Sequence, residues 1–316
     1  METPVAGQFP DSMSEVSFSL SGERPGTRSQ VDDDRSVSAE AGSIQVLAFG
    51  PSGQLTAYGR NRAGEGAVTL SLPAGPAVCW VGANLKSDLS SVTSEASLLS
   101  RTVRLEDSSP GRMEMYGRAS FTVGKDASVS VPVGRPLSKV QVCRVIADFS
   151  SPAYRAMPFR LKAVYLVNVR GSAPLGGSGD PGDAVWYNRG RRAVHPGDEL
   201  TTEFLDVVLQ QGGKVRGYAQ VHSFWCLPNP VRTDSSSSPW SPRYTRLVLE
   251  CQLGEVTWYY PVDIPQPEAN TLYRVDEVRI TGPGSPSPDI PVGKGGVSCT
   301  VTVLPWREGP PVDAEC

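Results

Sequence analysis

The sequence predicts an all-β protein with minor helix, built as two tandem β-sandwich domains. Apolar and polar residues alternate through many short segments, which is the pattern of strands that cover a core with one face. Clusters of Ser, Gly, Pro and Asp separate these segments at the spacing typical of sandwiches. The chain has 316 residues, of which 32 are Gly and 28 are Pro. This length favours about two cores.

The alternating segments are distributed along the whole chain, and we interpret each as a strand. In order they are Val16-Phe18-Leu20, Val68-Leu70-Leu72, Val142 to Ala147, Leu161-Ala163-Tyr165-Val167, Leu247-Leu249-Cys251 and Val278-Ile280. Two stretches have helical spacing instead. These are Lys86 to Ser100 and Glu203 to Gln210, the latter ending before Gly212 and Gly213.

A domain boundary is predicted near Val131 to Pro136, where Pro and Gly interrupt regular structure and a new strand pattern follows. The domains would be residues 1–136 and 137–316. Two long polar insertions, Arg170 to Gly197 and Asn229 to Arg243, interrupt the second domain. Loops of this length are uncommon in compact domains unless they carry a function or are disordered.

The charge balance excludes one class of partner. With 30 basic and 33 acidic residues the net charge is −3, so nucleic acid is not expected to bind. No apolar run approaches the ~20 residues that span a bilayer. The polar stretch after Met1 is not a signal peptide, and we expect the export signal to lie outside this sequence.

The six cysteines form no CxxC pair, so a structural zinc site is not predicted. They are Cys79, Cys143, Cys226, Cys251, Cys299 and Cys316. Most lie in apolar alternating runs, where a free Cys behaves as a small buried hydrophobe. One disulfide or more is the alternative. Cys316 is the candidate for reactivity.

The sequence contains no motif of an enzyme or a cofactor site. His195 and His222 share no pattern with an acid, serine or cysteine, and GxSxG, HExxH and GxxxxGK[ST] are absent. The acidic run Asp32 to Asp34 lacks the Gly and the distal Glu of a calcium loop. We therefore predict no enzymatic activity, no cofactor and no metal.

Aromatic residues in the two insertions form a possible ligand site. Such rings can stack on a sugar or anchor a partner protein, or they can fold onto their own domain, and both readings stay open. The residues are Trp186, Tyr187, Trp240 and Tyr244.

The order of motifs in the second half resembles the Bacteroides-type fimbrillins, which are subunits of surface pili. The motifs are KVQVCRVIADF, FRLKAVYLVNV, WCLPNP, YTRLVLECQL, EVTWYYPVDIP, TLYRVDEVRITGPGS and VSCTVTVLPW, with SIQVLAFGPSGQL in the first half. The Pro-Asn-Pro of residues 228–230 and the two insertions depart from the pattern. The resemblance implies transthyretin-like Greek-key sandwiches, export as a lipoprotein, and a place in fimbriae at the outer membrane. Contact with the membrane would be made only through a lipid anchor that this chain lacks.

The resemblance also implies assembly by strand exchange. An Arg-specific protease removes the first strand, here Val16, Phe18 and Leu20, and a strand of a neighbouring subunit fills the groove. Val297, Cys299, Val301 and Val303 show the alternation of a donor strand. Arg28 is the preferred cleavage site, followed by Arg24 and Arg35, in a Gly, Pro, Ser and Asp context that suits proteolysis. We expect the first strand to be a separable edge strand.

The expected partners are other fimbrial subunits, in a homopolymer or heteropolymer, the protease, and a host protein or glycan. The alternative is a monomeric surface adhesin or a carbohydrate-binding β-sandwich lipoprotein that uses the two insertions. A hydrolase would need carboxylates that converge in a cleft, and nothing in the sequence favours it.

Overall fold

The chain divides into two compact units. A computed structural model describes residues 13–22, 42–61, 66–177, 179–234, 240–264, 266–293 and 296–305. The first unit comprises Met1–Arg101 and Gly111–Gly134, and the second comprises Thr102–Pro110 and Arg135–Cys316.

Strands dominate the described residues, and the all-β prediction is confirmed. The helices are α1 (Glu95–Leu99), α2 (Pro152–Ala156) and α3 (Asp198–Thr201), with 3-10 turns at Leu105–Asp107 and Pro181–Asp183. The strands are β1 (Met13–Gly22), β2 (Ile44–Phe49), β3 (Leu55–Arg60), β4 (Ala67–Pro73), β5 (Gly75–Ala83), β6 (Thr102–Arg104), β7 (Met115–Val123), β8 (Ser128–Gly134), β9 (Ser138–Val142), β10 (Val145–Ala147), β11 (Phe159–Val167), β12 (Val169–Arg170), β13 (Ser172–Pro174), β14 (Trp186–Tyr187), β15 (Thr202–Gln211), β16 (Lys214–Val215), β17 (His222–Cys226), β18 (Thr245–Leu253), β19 (Val256–Ile264), β20 (Thr271–Ile280) and β21 (Val297–Pro305).

The first unit is a seven-stranded sheet that curls around one core. Its strand order is β3-β2-β5-β7-β8-β1-β4. The sheet brings its two end strands near each other, since a Cβ atom on Gly59 of β3 would lie 2.6 Å from Leu70 Cδ2 of β4. Alternate residues of the strands fill the enclosed space, including Val46, Val81, Phe121 and Val131.

The segment after β5 covers the outer face of β2 instead of forming the long helix predicted for Lys86 to Ser100. Only α1 is helical, and Ser94 caps it through a reciprocal capping box with Ser97. Leu89 N donates to Gln45 Oε1 at 2.8 Å, which holds the segment against β2. Leu89, Val92 and Leu98 of this segment are buried, so most of the segment is a loop that covers the sheet with part of its apolar residues.

The second unit contains two five-stranded sheets that form a sandwich. One has the order β16-β15-β11-β18-β19. In the other, β9 and β10 pair in parallel with successive parts of β20, β17 pairs with β9, and β21 pairs antiparallel with the opposite edge of β20. Phe149, which follows β10, contacts Phe159 of the first sheet with 5.0 Å between ring centroids, and Phe159 contacts Tyr260 of the same sheet at 6.2 Å.

The predicted helix at Glu203 to Gln210 is wrong, because these residues belong to β15. The strand pairs antiparallel with β11, and two register shifts interrupt this ladder. Such bulges break the two-residue alternation that identifies a strand in a sequence. The β-branched pair Val207 and Val208 also favours the extended backbone.

Four cysteines are buried, as predicted: Cys79, Cys143, Cys226 and Cys251. Burial raises the pKa of Cys79 and of Cys226 to about 12, so these two thiols stay protonated at neutral pH. Cys299 is exposed, and Cys316 lies outside the described residues.

Close packing between β7 and β8 makes Gly117 intolerant of a side chain. A Cβ atom there would lie 2.1 Å from Pro132 O. We expect Gly117→Ala to lower the free energy of unfolding by about 1–3 kcal/mol through overpacking. Gly66→Ala is the matched control, because its Cβ would meet nothing within 4 Å. Denaturant unfolding measures both variants, and equal stabilities would contradict the packing argument.

Candidate strand-exchange site

The first strand lies inside the sheet of the first unit. Residues 13–19 of β1 pair antiparallel with β4, and residues 17–22 pair in parallel with β8. The middle of β1 is therefore hydrogen-bonded on both sides. The expectation of a separable edge strand is wrong.

The interior position follows from the two strands that flank β1. Both alternate between exposed and buried residues, and their buried residues face the same core. Without β1 each would end in a row of unpaired backbone groups beside the core, which is unfavourable in a compact fold. The buried residues are Val68, Leu70 and Leu72 in β4, and Val129, Val131 and Val133 in β8.

The apolar side chains of β1 are core residues. Val16 and Phe18 are 0% exposed and Leu20 is 8% exposed. The Phe18 ring packs edge-on against Phe121, with 5.4 Å between ring centroids. Each burial stabilises the unit by roughly 1.5–3 kcal/mol. Loss of β1 would open an apolar groove between β4 and β8. Both of these strands would then present unpaired backbone N–H and C=O groups.

The last described strand contrasts with the first. β21 is hydrogen-bonded to β20 on one side and lies at the edge of its sheet. Val297, Cys299, Val301 and Val303 stand opposite the buried residues Ile280, Val278, Val275 and Tyr273. They therefore lie on the core-facing side, yet Val303 is 54% exposed and Cys299 is exposed. The apolar face of β21 is incompletely covered.

A cleft of about 440 Å³ lies beside the C-terminal end of β21. Tyr244, one of the aromatics predicted for a ligand site, is in its wall. The other lining residues are Asp263, Gln266, Glu268, Tyr273 and Val303.

The predicted cleavage sites Arg24, Arg28 and Arg35 lie outside the described residues, in the segment that joins β1 to β2. Their role stays a prediction.

The structure brings two of the insertion aromatics together. The rings of Trp186 and Trp240 meet edge-on at 5.6 Å. Trp186 Nε1 donates to Pro181 O at 2.7 Å, and Trp240 Nε1 donates to Asn168 Oδ1 at 3.1 Å. Trp186 is buried, whereas Trp240 is half-buried. The two insertions are thus joined through these rings.

The other two aromatics are also bound within the second unit. Tyr187 stacks on His195 at 4.2 Å and donates to Glu106 Oε2 at 3.2 Å. Burial raises the pKa of Tyr187 and lowers that of His195, so both are neutral at neutral pH. Tyr244 donates its hydroxyl to Arg232 O at 2.8 Å. These contacts favour the interpretation that the rings fold onto their own domain, and a ligand role stays untested.

A cluster of ion pairs around one buried arginine holds the second insertion near β19. Arg246 of β18 is 0% exposed. It donates to Asp263 at 2.7 Å, to Asp289 at 2.7 Å and to Asp234, and Arg243 also pairs with Asp289 at 3.1 Å. Burial lowers the pKa of Arg246, but the carboxylates outweigh it and the net change is upward.

The cluster ties four separate segments of the second unit together. Asp234 lies in the second insertion, Asp263 in β19 and Asp289 in the segment after β20. A single Arg inside the apolar run TRLVLEC is the one feature of the sequence that points to a buried cation in this strand. Its partners could not be inferred, because they are distant in sequence.

The described residues offer no group of three or more His, Cys, Asp or Glu side chains that could hold a metal. Within the same residues, no helix is long and apolar enough to cross a membrane.

Solved structures with the same fold include a candidate cell adhesion protein and two fimbrial proteins. A candidate cell adhesion protein of Bacteroides eggerthii matches with a TM-score of 0.68 at 18% identity, over 95% of this chain and 98% of that chain. A fimbrilin (FimA) of Porphyromonas gingivalis matches with a TM-score of 0.62 at 16% identity, over 95% and 98%. The tip fimbrial protein Mfa3 of Porphyromonas gingivalis, solved with a C-terminal truncation, matches at 0.53 and 10%, over 93% and 100%.

These likenesses establish the fold. No protein-family model matches the chain, and the search of curated proteins found no match to its sequence. The chain has the all-β fold that these adhesion and fimbrial proteins share over nearly their whole lengths. The resemblance to the fimbrillins is thereby confirmed at the level of the fold.

The cluster around Arg246 predicts a clear effect of one substitution. Arg246→Met would remove the buried cation that Asp234, Asp263 and Asp289 share, and we expect a loss of about 1.5–3 kcal/mol in the free energy of unfolding. Arg160→Met is the control, because Arg160 makes a similar pair with Asp206 on the surface. Denaturant unfolding should show a much larger shift for Arg246→Met. Similar shifts would mean that the buried cluster does not stabilise the second unit.

β1 has a neighbouring strand on both sides and β21 on one side only, which predicts that β21 is locally less stable than β1. In the uncut chain, amide hydrogens of β21 should exchange with solvent faster than those of β1, because β21 is paired on one side and its apolar face is partly open. Hydrogen exchange with peptide-level mass spectrometry measures both strands, with β20 as an internal reference. Slower exchange in β21 than in β1 would contradict this assignment.

Proposed function

We propose that this chain is a structural subunit of a cell-surface fimbria, joined to its neighbours by strand exchange and without enzymatic activity. The observation that carries the proposal is β1, a strand at the start of the chain that completes both the core and two ladders of the first unit. The shared fold with a fimbrilin and a tip fimbrial protein supports it.

Proteolysis would make β1 exchangeable. An intact chain holds β1 at a high effective concentration, roughly millimolar for a flexible connection. A cut at Arg28, Arg24 or Arg35 changes no contact of β1. After the cut, however, a β1 strand that dissociates can rebind only in a bimolecular step. An Arg-specific protease would thus act as the switch that permits exchange.

The groove that β1 leaves would accept an extended strand by β-augmentation. Backbone groups of β4 and β8 would pair with the incoming strand on both sides, and alternate apolar side chains would fill the core. A strand inside a sheet leaves two unpaired walls, whereas an edge strand leaves one. Because β1 is interior, its removal costs more free energy than removal of an edge strand would. A replacement strand would likewise bind the groove more tightly.

β21 is the proposed donor to the next subunit. It is paired on one side only, and Val297, Cys299, Val301 and Val303 gain burial when they enter a groove. The Ser and Thr residues between them would face outward, as Ser17, Ser19 and Ser21 do in β1. The subunit would lie on the cell surface after export.

The monomeric adhesin is not proposed. Trp186, Tyr187, Trp240 and Tyr244 make stacking contacts or hydrogen bonds within their own unit. These contacts leave the rings less available for a glycan or a host protein than the sequence alone suggests.

A charge on the apolar face of β21 tests the donor role. Val301→Asp should remove the chain from fibres sheared from the source bacterium, because a carboxylate would enter the core of the accepting groove. Thr300→Asp places the same charge on the exposed opposite face and should leave incorporation unchanged. Immunoblots of the sheared fibres measure both, and thermal unfolding checks that each variant folds.

Two outcomes would contradict the proposal. Incorporation of Val301→Asp at the level of Thr300→Asp would exclude β21 as the donor. Absence of the unsubstituted chain from any surface fibre would exclude the fimbrial role itself.

A further inference from the structure

The interior of the groove is defined by the three apolar side chains that β1 places in it. Val16, Phe18 and Leu20 point into the core at successive alternate positions. Phe18 is the largest of them, and its ring is fully buried against Phe121. We call the space that the Phe18 ring fills the central subsite.

The apolar face of β21 contains no residue that fills a space of this size. Its side chains are Val297, Cys299, Val301 and Val303. Because all four are smaller than Phe, any register that buries this face places Val, Cys or the terminal Pro305 in the central subsite, in either strand direction. The opposite face contains Ser298, Thr300, Thr302 and Leu304. Turning the strand over with Leu304 in the central subsite would bury the hydroxyl of Thr302 beside it and would still leave Phe121 without an aromatic partner.

A small residue in the central subsite leaves a cavity. Folded cores relax only partly around a missing ring, so the lost contacts and the residual void both weaken binding. The ring of Phe121 would also lose its aromatic partner. A second copy of this chain is therefore a poor donor to this groove.

We propose that the groove of this chain is filled by a strand from a different subunit, one that carries a large apolar residue, preferably Phe, at the central position. Smaller apolar residues would lie two positions away on either side, with small polar residues between them. This inference rests on the proposed function and specifies its partner. At this joint the fibre is a heteropolymer.

The test uses the full chain cut once between residues 23 and 41 at an introduced protease site, with β1 left in place. Fluorescent peptides compete with β1 for the groove, and size-exclusion chromatography with anisotropy measures their uptake. The peptides are residues 13–22, the same peptide with Phe18→Val, residues 297–305, and the latter with Val301→Phe or with Thr300→Phe. Reducing agent keeps Cys299 as a thiol.

We expect the Val301→Phe peptide to bind about tenfold or more tightly than residues 297–305, because one ring fills the central subsite. Thr300→Phe adds the same ring to the outward face, and should bind no better than the unsubstituted peptide. Phe18→Val should weaken residues 13–22 by a similar factor.

Each failure has its own meaning. If residues 297–305 bind within threefold of the Val301→Phe peptide, the central subsite does not select, and the inference is overturned while strand exchange stands. The same holds if Phe18→Val has no effect. If even residues 13–22 do not enter the cut chain, the groove does not exchange strands, and both proposals fail.

Discussion

The double pairing of β1 is the interaction on which the first unit depends. Ladders to β4 and β8 join two strands that would otherwise end at open edges, and the buried rings and methyl groups of Val16, Phe18 and Leu20 complete the core between them. An edge strand would contribute half of these hydrogen bonds and could be lost with little damage. Because β1 is internal, the unit without it is an incomplete fold that a strand of matching shape can restore.

In the second unit, the terminal strand is bound less completely than β1 is in the first unit. Its last strand, β21, is paired along one edge and leaves apolar residues partly exposed. Close by, Arg246 holds three carboxylates from separate segments, so the surrounding loops are tied to β18 and β19. A buried ion pair of this kind is a poor source of net stability compared with an apolar core, but it fixes one arrangement of the groups that it joins.

Alternation in the sequence predicted the all-β fold and the buried faces of β1, β4, β11, β18 and β20, because a two-residue period is a local signal. Pairing is not local, so the position of β1 between β4 and β8 was missed: these strands lie roughly 50 and 110 residues further along the chain. Bulges hid the period of β15, and the apolar residues of the predicted helix at Lys86 to Ser100 turned out to cover β2 as a loop. The partners of Arg246 come together only in the folded unit.

In the proposed strand exchange, cleavage would release β1 from its covalent connection, and the shape of the groove would select the strand that replaces it. A cut between β1 and β2 removes the tether and leaves every contact of β1 intact, so the free strand still fits its groove better than an ill-matched competitor does. A donor can displace it only by matching the buried contacts or by being held at high local concentration next to the groove. A strand with a ring in the central subsite meets the first condition, and attachment to a subunit already docked in the fibre meets the second. Since β21 of this chain lacks the ring, cut copies would keep their own β1 until another subunit supplies a better strand. In the proposed exchange, Phe18, which completes the core of the first unit, would thereby also disfavour premature self-assembly.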